Sequence, residues 1–317
     1  MQKTIVITDL THMRGEGVCI VGIDQYSQTI RPVLQPPGVL REHLYIEGKL
    51  AIRPRAKVRF SLRKVPLKPP HIEDLGFDPK SAIYEGLCTD AEWEEVLKAS
   101  SFHSVQDIYN GCLQENRWVE PGANTRSLGT VSWVEVISVD LREWSGERRY
   151  RILFTDQTGG QYNNITISDL AFRQFCDVEV DHHNSPLSAS RHITDLLKNV
   201  DRLYLRLGLA RPWAPSDGSS NLRCWMQVTG IHTFPDYLGG RSFADFEILP
   251  QNSREKSYDV EEIRKKHARA YTKWTKDDDT ILRDEYFKGK TVEELADAFQ
   301  RKQGAIRSRL QRLGLEP

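Results

Sequence analysis

The stretch Arg53-Pro-Arg-Ala-Lys-Val-Arg-Phe-Ser-Leu-Arg63 decides how the larger part of the chain is read. Successive side chains of a strand point to opposite faces, so Val58, Phe60 and Leu62 are predicted to turn inward while Lys57, Arg59, Ser61 and Arg63 line the other side. Extending the register backward adds Arg53 and Arg55 to the outer row. Same-face neighbours repeat at roughly 6.5–7 Å, the scale of a nucleic-acid backbone, which makes Arg53, Arg55, Lys57, Arg59 and Arg63 candidate phosphate contacts. A plainer reading stands beside this one: a solvated strand face, or a sheet edge whose cations discourage edge-to-edge pairing.

Outward from this strand the chain before residue 250 reads as strands and turns. Thr4–Thr8, Val18–Ile23 and Thr29–Leu34 are short β-branched segments separated by Gly- and Asp-containing turns, as in an all-β meander or barrel. Further strands are expected at Ser132–Trp144, Tyr150–Thr155, Asn164–Ile167, Leu203–Leu209 and Trp225–Ile231, with helices at Asp90–Ala99 and Leu187–Lys198. Arg202, Tyr204 and Arg206 alternate with Leu203, Leu205 and Leu207, and Arg211-Pro-Trp213 follows. Aromatic rings beside cations suit the stacking of bases in a cationic groove, so Arg206, Arg211 and Trp213 join the candidates. For each ring, ordinary burial in a core is the competing account.

The formal net charge of zero conceals segregation. Residues 1–70 carry twelve Lys/Arg against five Asp/Glu, whereas residues 71–120 carry three against eleven, so a basic and an acidic surface are both expected. No run approaches the roughly 20 apolar residues that span a bilayer, and the N-terminus is too short and polar for a signal peptide, so a cytoplasmic protein without membrane contact is expected. The five cysteines are scattered singly and suggest neither disulfides nor a zinc ribbon. His182-His183 beside Asp181 could suggest a metal, but adjacent residues on a strand would point apart. Asp24 and Asp156 sit at strand ends, where turn-forming aspartates are common. With no phosphate loop and no carboxylate cluster, the chain is expected to be non-enzymatic, with no cofactor and no metal.

The C-terminal segment reads as three helices. Thr275-Lys-Asp-Asp278 and Thr291-Val-Glu-Glu294 have the form of capping boxes, and Gly289 sits where a left-handed helix end is wanted. In the third helix Phe299, Ile306, Leu310 and Leu313 are expected to face a core with Trp274, Leu282 and Leu295. The opposite face then displays Gln300, Gln303, Arg307 and Gln311, with Arg301 and Arg312 at a margin. Gln and Arg suit adenine and guanine edges, and marginal cations suit phosphates. Arg309 flanks the core and is expected to pair with Asp279 or Asp284 rather than with a ligand. A trihelical protein-interaction module with a solvated basic face remains the alternative.

Trp274-Thr275, Leu282, Gly289, Leu295-Ala296 and Ala305-Ile306-x-x-Arg309-Leu310-x-x-Leu313-Gly314-Leu315 resemble the Myb/SANT-like helix-turn-helix family of bacterial protein ends. Gly17-Val-Cys-Ile-Val-Gly22-Ile23-Asp24, Ile30-Arg31-Pro32-Val33, Leu205-Arg206-x-Gly208-Leu209-x-Arg211-Pro212-Trp213 and Gln227-Val-Thr-Gly230 through Tyr237 resemble the dual OB-containing domain family. That resemblance covers most of residues 1–250 and implies nucleic-acid binding, often beside conflict (defence) or repair systems, with no catalytic residues. The resulting expectation is a mainly β chain with α: two OB-like β-barrels, at 1–120 (with an acidic helical insert) and 121–250, a charged, partly helical linker at 251–271, and a three-helix domain at 272–317. The helix-turn-helix would contact duplex DNA, the favoured partner, while a barrel groove tracks backbone or single strand. The rival reading is an assembly module that recruits a helicase, nuclease or ATPase.

Overall fold

In a computed structural model the protein is described over residues 1–13, 15–144, 147–214, 221–247, 274–301, 303–313 and 315. The charged segment expected as a linker at 251–271 lies outside the described residues, and so do the side chains of Gln311 and Arg312. The chain divides into two compact units, Met1–Leu249 and Pro250–Pro317.

The first unit begins with β1 (Gln2–His12), β2 (Val18–Asp24), β3 (Thr29–Val33), the two-residue pair β4 (Tyr45–Ile46) and β5 (Lys49–Leu50), β6 (Ala56–Lys64), β7 (Asp74–Phe77) and β8 (Ile83–Leu87). Strands β1-β2-β3-β7-β6 lie in that order, β3 and β7 run parallel, and β6 returns to pair with β1. This is a closed five-stranded barrel. Its core takes Ile5, Ile7, Ile20, Val58, Phe60 and Leu62, which confirms the alternation read from β6, although the strand starts at Ala56 because Arg55 takes a left-handed backbone (φ 74).

The chain continues through α1 (Asp90–Ala99), β9 (Ser101–Phe102), α2 (Val105–Ile108), β10 (Trp118–Val119), β11 (Leu128–Ser132), β12 (Glu135–Trp144), β13 (Glu147–Thr155) and β14 (Gln161–Ile167). Then come α3 (Leu170–His183), α4 (Pro186–Lys198), β15 (Arg202–Leu209), β16 (Cys224–Phe234) and α5 (Phe243–Glu247). The second sheet runs β12-β13-β14-β16-β15-β11-β9, with β14 and β16 parallel. Counted by themselves, β12 to β16 without the helices repeat the first barrel's order: first, second, third, fifth, fourth, with a parallel pair between third and fifth. Closure differs. The free edge of β15 is taken by β11, and among the described residues no pairing joins β15 to β12. The second expected barrel is therefore an open sheet. Because β9 and β10 already pair into it, a boundary at residue 120 cuts through this half.

Helix α3 ties the halves together, since Leu170 and Ala171 enter the first core while Phe172, Phe175, Cys176 and Val180 enter the second. Asp169 caps it by accepting from the N–H of Ala171 and Phe172. His182 and His183 thus lie on a helix, which removes the strand argument made about them.

The second unit contains α6 (Lys276–Phe287), α7 (Val292–Ala298) and α8 (Gln303–Arg312). Both expected capping boxes form, Thr275 with Asp278 and Thr291 with Glu294. Leu282, Leu295, Ala296, Phe299, Ile306 and Leu310 make its core, with Trp274 packed against them.

Candidate nucleic-acid interface

The basic row of β6 does not stand open. Arg55 pairs with Asp90, Lys57 Nζ lies 2.7 Å from Glu92 and Arg59 Nε 3.1 Å from Glu85. The acidic residues come from β8, hydrogen-bonded beside β6, and from α1 just beyond it. The bond from Lys57 and then the capping N–H of Thr89 hold the Glu92 carboxyl down at about 2. The surplus of cations in residues 1–70 and of anions in 71–120 thus partly cancel here. Arg55, Lys57 and Arg59 are corrected to partners of carboxylates, while Arg63 is exposed and Arg53 half-buried.

Arg206 is corrected more completely. It is fully buried, as is its partner Asp9, with Nε 2.8 Å from the carboxylate. Its Nη1 donates to Thr130 at 2.8 Å, and the Thr229 hydroxyl donates to Asp9 at 3.0 Å. The alternation along β15 was read properly, but β15 is internal to its sheet and the face opposite the core is covered by the first barrel. Both partners lie beside register shifts: Thr8 is the extra residue before Asp9 on β1, and opposite Arg206 and Leu207 the extra residue is Thr229 on β16, which itself bonds Asp9.

This pair belongs to a polar seam between the two halves. Asp74 accepts from Arg31 at 2.6 Å and from Arg211 at 2.7 Å, and Glu73 accepts from the Ser127 N–H and hydroxyl, both at 2.7 Å. Burial pushes the imidazoles of His71 and His232 down to about 4 and the Asp169 carboxyl up to about 7. Asp24 and Asp156 are tied into turns by backbone N–H groups, as a turn-former requires.

A different surface gathers rings and cations. Trp118 pairs with Trp225 across β10 and β16, and Trp213 and Arg223 exchange backbone hydrogen bonds at 3.1 and 3.2 Å. The Trp213 and Trp225 rings then lie 5.9 Å apart. Arg223 sits 4.7 Å from the centroid of Trp118 and 5.5 Å from that of Trp225, and Arg117 sits 5.4 Å from Trp225. Trp213 remains 49% exposed, which leaves a ring face for a ligand. The cationic strip runs on to Arg151 of β13, which donates to Thr166 of β14, and Thr166 is in register with Gln227 of β16. Arg151 is held below the usual arginine range by burial and then by the charges of Arg149 and Arg117. Asp140 of β12, in register opposite Arg151, offsets part of this positive charge. Arg211, half-exposed, stands at the mouth of an adjacent cleft of about 410 Å³ that Gln227 also lines.

Of these residues the sequence reading found Arg211 and Trp213 and missed Arg117, Arg151 and Arg223. The signal for Trp225 and Gln227 was their alternation with buried Cys224, Met226 and Val228.

In the second unit Gln303 and Arg307 are exposed four residues apart on α8. Gln300 is exposed but precedes the helix, in a left-handed turn (φ 51). That turn directs Arg301 inward, 2% exposed and 4.2 Å from the centroid of Trp274, so its expected place at a phosphate margin is corrected. Arg309 makes two 2.6 Å bonds to Asp279, as expected of a core-flanking arginine.

A closed five-stranded barrel joined to a sheet of the same strand order defines an OB-type protein, a class that commonly binds nucleic acids or proteins. Residues 3–231 match the dual OB-containing domain, and the chain belongs to that family. No curated protein matches the chain. No described helix is long and apolar enough to cross a membrane.

Proposed function

We propose that the protein is a non-enzymatic nucleic-acid-binding protein that stacks single-stranded bases on Trp213 and Trp225 and holds the backbone with Arg117, Arg151 and Arg223. The observation that carries this reading is the interleaving of guanidinium groups and indole rings around a half-exposed Trp213. Stacking on an aromatic face contributes about 1–3 kcal/mol per base and tolerates any sequence, while the arginines supply the salt-dependent part. The three-helix segment, with its Myb/SANT-like pattern, adds a duplex DNA contact through Gln303 and Arg307 on α8.

The test is a salt series of binding isotherms on a single strand and a duplex, using the full chain and the chain ending at residue 249. Affinity for the single strand that falls steeply with salt and survives the truncation, with duplex affinity reduced, supports both assignments. Weak binding without salt dependence overturns the reading and favours an assembly module that recruits a helicase, nuclease or ATPase.

A further inference from the structure

Away from this interface, three side chains with metal-ligand chemistry converge on the α3–α4 hairpin. Glu179 and His183 are four residues apart on α3, so helical geometry puts them on one face. Asn184, in a left-handed conformation (φ 48), ends α3, and Ser185 with Pro186 starts α4 at once. The reversal brings His192 of α4 back against the last turns of α3. The Glu179 Oε2 atom lies 3.5 Å from His183 Nε2 and 3.5 Å from His192 Nε2.

These spacings suit a shared ion. With metal–nitrogen bonds of about 2.0–2.1 Å and metal–oxygen bonds of about 2.0–2.2 Å, neighbouring ligands of a tetrahedral ion stand roughly 3.4 Å apart. Both Glu–His edges have that length, and all three ligand atoms lie within 4.8 Å of one another. Rotation of the half-exposed His192 shortens the remaining edge, while Glu179, 14% exposed, is the fixed corner. His182 stacks on His183 at 5.1 Å and restrains the plane of that ring.

We infer that Glu179, His183 and His192 bind a divalent transition-metal ion of the zinc type. Two imidazoles and one carboxylate favour zinc, cobalt or nickel over magnesium or calcium, which prefer all-oxygen sites. Three protein ligands leave the fourth position to water. The ion joins α3 to α4, and because it is bound only by the folded hairpin it stabilises the fold by mass action.

The experiment uses the full chain stripped with a chelator and titrated with zinc chloride, read by calorimetry and thermal melting. One ion per chain and a raised melting temperature are expected. His192→Ala, at a half-exposed position, should weaken zinc binding by more than about 100-fold, beyond what loss of a merely supporting residue costs, and should abolish the melting shift. The metal-free melting temperature should stay unchanged. Glu179→Gln should act in the same way, and His182→Ala should keep one ion per chain. Cobalt in place of zinc should give the visible bands of a four-coordinate ion without a thiolate charge-transfer band. No zinc uptake by the parent, uptake by His192→Ala equal to the parent's, or a thiolate band from the cysteines would each overturn the inference.

Discussion

The basic row of β6 and the arginine–tryptophan surface around β16 make an instructive pair. In sequence the row is the stronger signal, with Arg55, Lys57, Arg59 and Arg63 at alternate positions of one strand. In the fold three of these four meet carboxylates. The surface around β16 draws its cations from segments far apart in the chain, only one of which, Arg148-Arg149-Tyr150-Arg151, is a basic run, yet Arg117 lies beside an indole and Arg151 feels the charges of Arg149 and Arg117. A third set, the seam of Asp9, Arg206, Arg31 and Asp74, is charged and buried. What a cation can do therefore depends on what the folded chain places against it.

The largest effect should come from the seam. Arg206→Ala strands a buried carboxylate and is expected to lower unfolding free energy by about 3–5 kcal/mol, measured by urea denaturation, with binding by the remaining folded protein unchanged. A loss below about 1 kcal/mol would show that Asp9 finds water or another donor, and the contrast between seam and surface would fail.

Acidification should strain the fold, in part at the same seam. His12, His71 and His232 are each pushed down to about 4 in the fold, chiefly by burial, whereas in the unfolded chain they take protons near the ordinary 6.5. Between those values the unfolded state binds more protons, so stability falls as pH drops from about 6.5 towards 4. Asp169, raised to about 7, takes its proton earlier in the fold and opposes this with one proton against three. The net loss by pH 5 should be on the order of 2 kcal/mol, checked by urea midpoints at pH 7 and pH 5. Equal stability at the two values would mean that the imidazoles gain water in solution.

At the interface, Trp213→Ala should cost about 1–3 kcal/mol of single-strand affinity and leave the urea midpoint nearly unchanged, because the ring is half-exposed. Unchanged affinity for every single strand tried would remove this surface from the function. The smallest effect belongs to the β6 row. Lys57→Ala should leave nucleic-acid affinity unchanged and shift stability only slightly, since its partner Glu92 is exposed as well. A clear loss of affinity would place the β6 row, despite its pairing, back among the contacts.

Local patterns were legible in the sequence. Val58, Phe60 and Leu62 alternate into the core, Thr275 and Thr291 cap helices, and Arg309 pairs with Asp279, because each follows from helix or strand geometry over a few residues or from charge on a short chain. Helix α3 was missed. Its apolar residues divide between two cores, so Leu170, Ala171, Phe172 and Phe175 cover too wide an arc for the single stripe of an amphipathic helix. Closure of the second sheet was misjudged for a related reason: β11 competes for the edge of β15, and no periodicity within either strand encodes that choice.

The sequence by itself determined the periods, the caps, the family of residues 3–231 and the kinds of side chain available for stacking and for charge. Only the tertiary structure decided which charges are spent. Asp9 and Arg206 meet across 197 residues of chain, and Arg55 and Lys57 meet their carboxylates across 35. The physical reason is range: backbone geometry fixes a side chain's direction within a few residues, but an ion pair forms or fails over about 4 Å in space, and that distance is set by how distant strands pack.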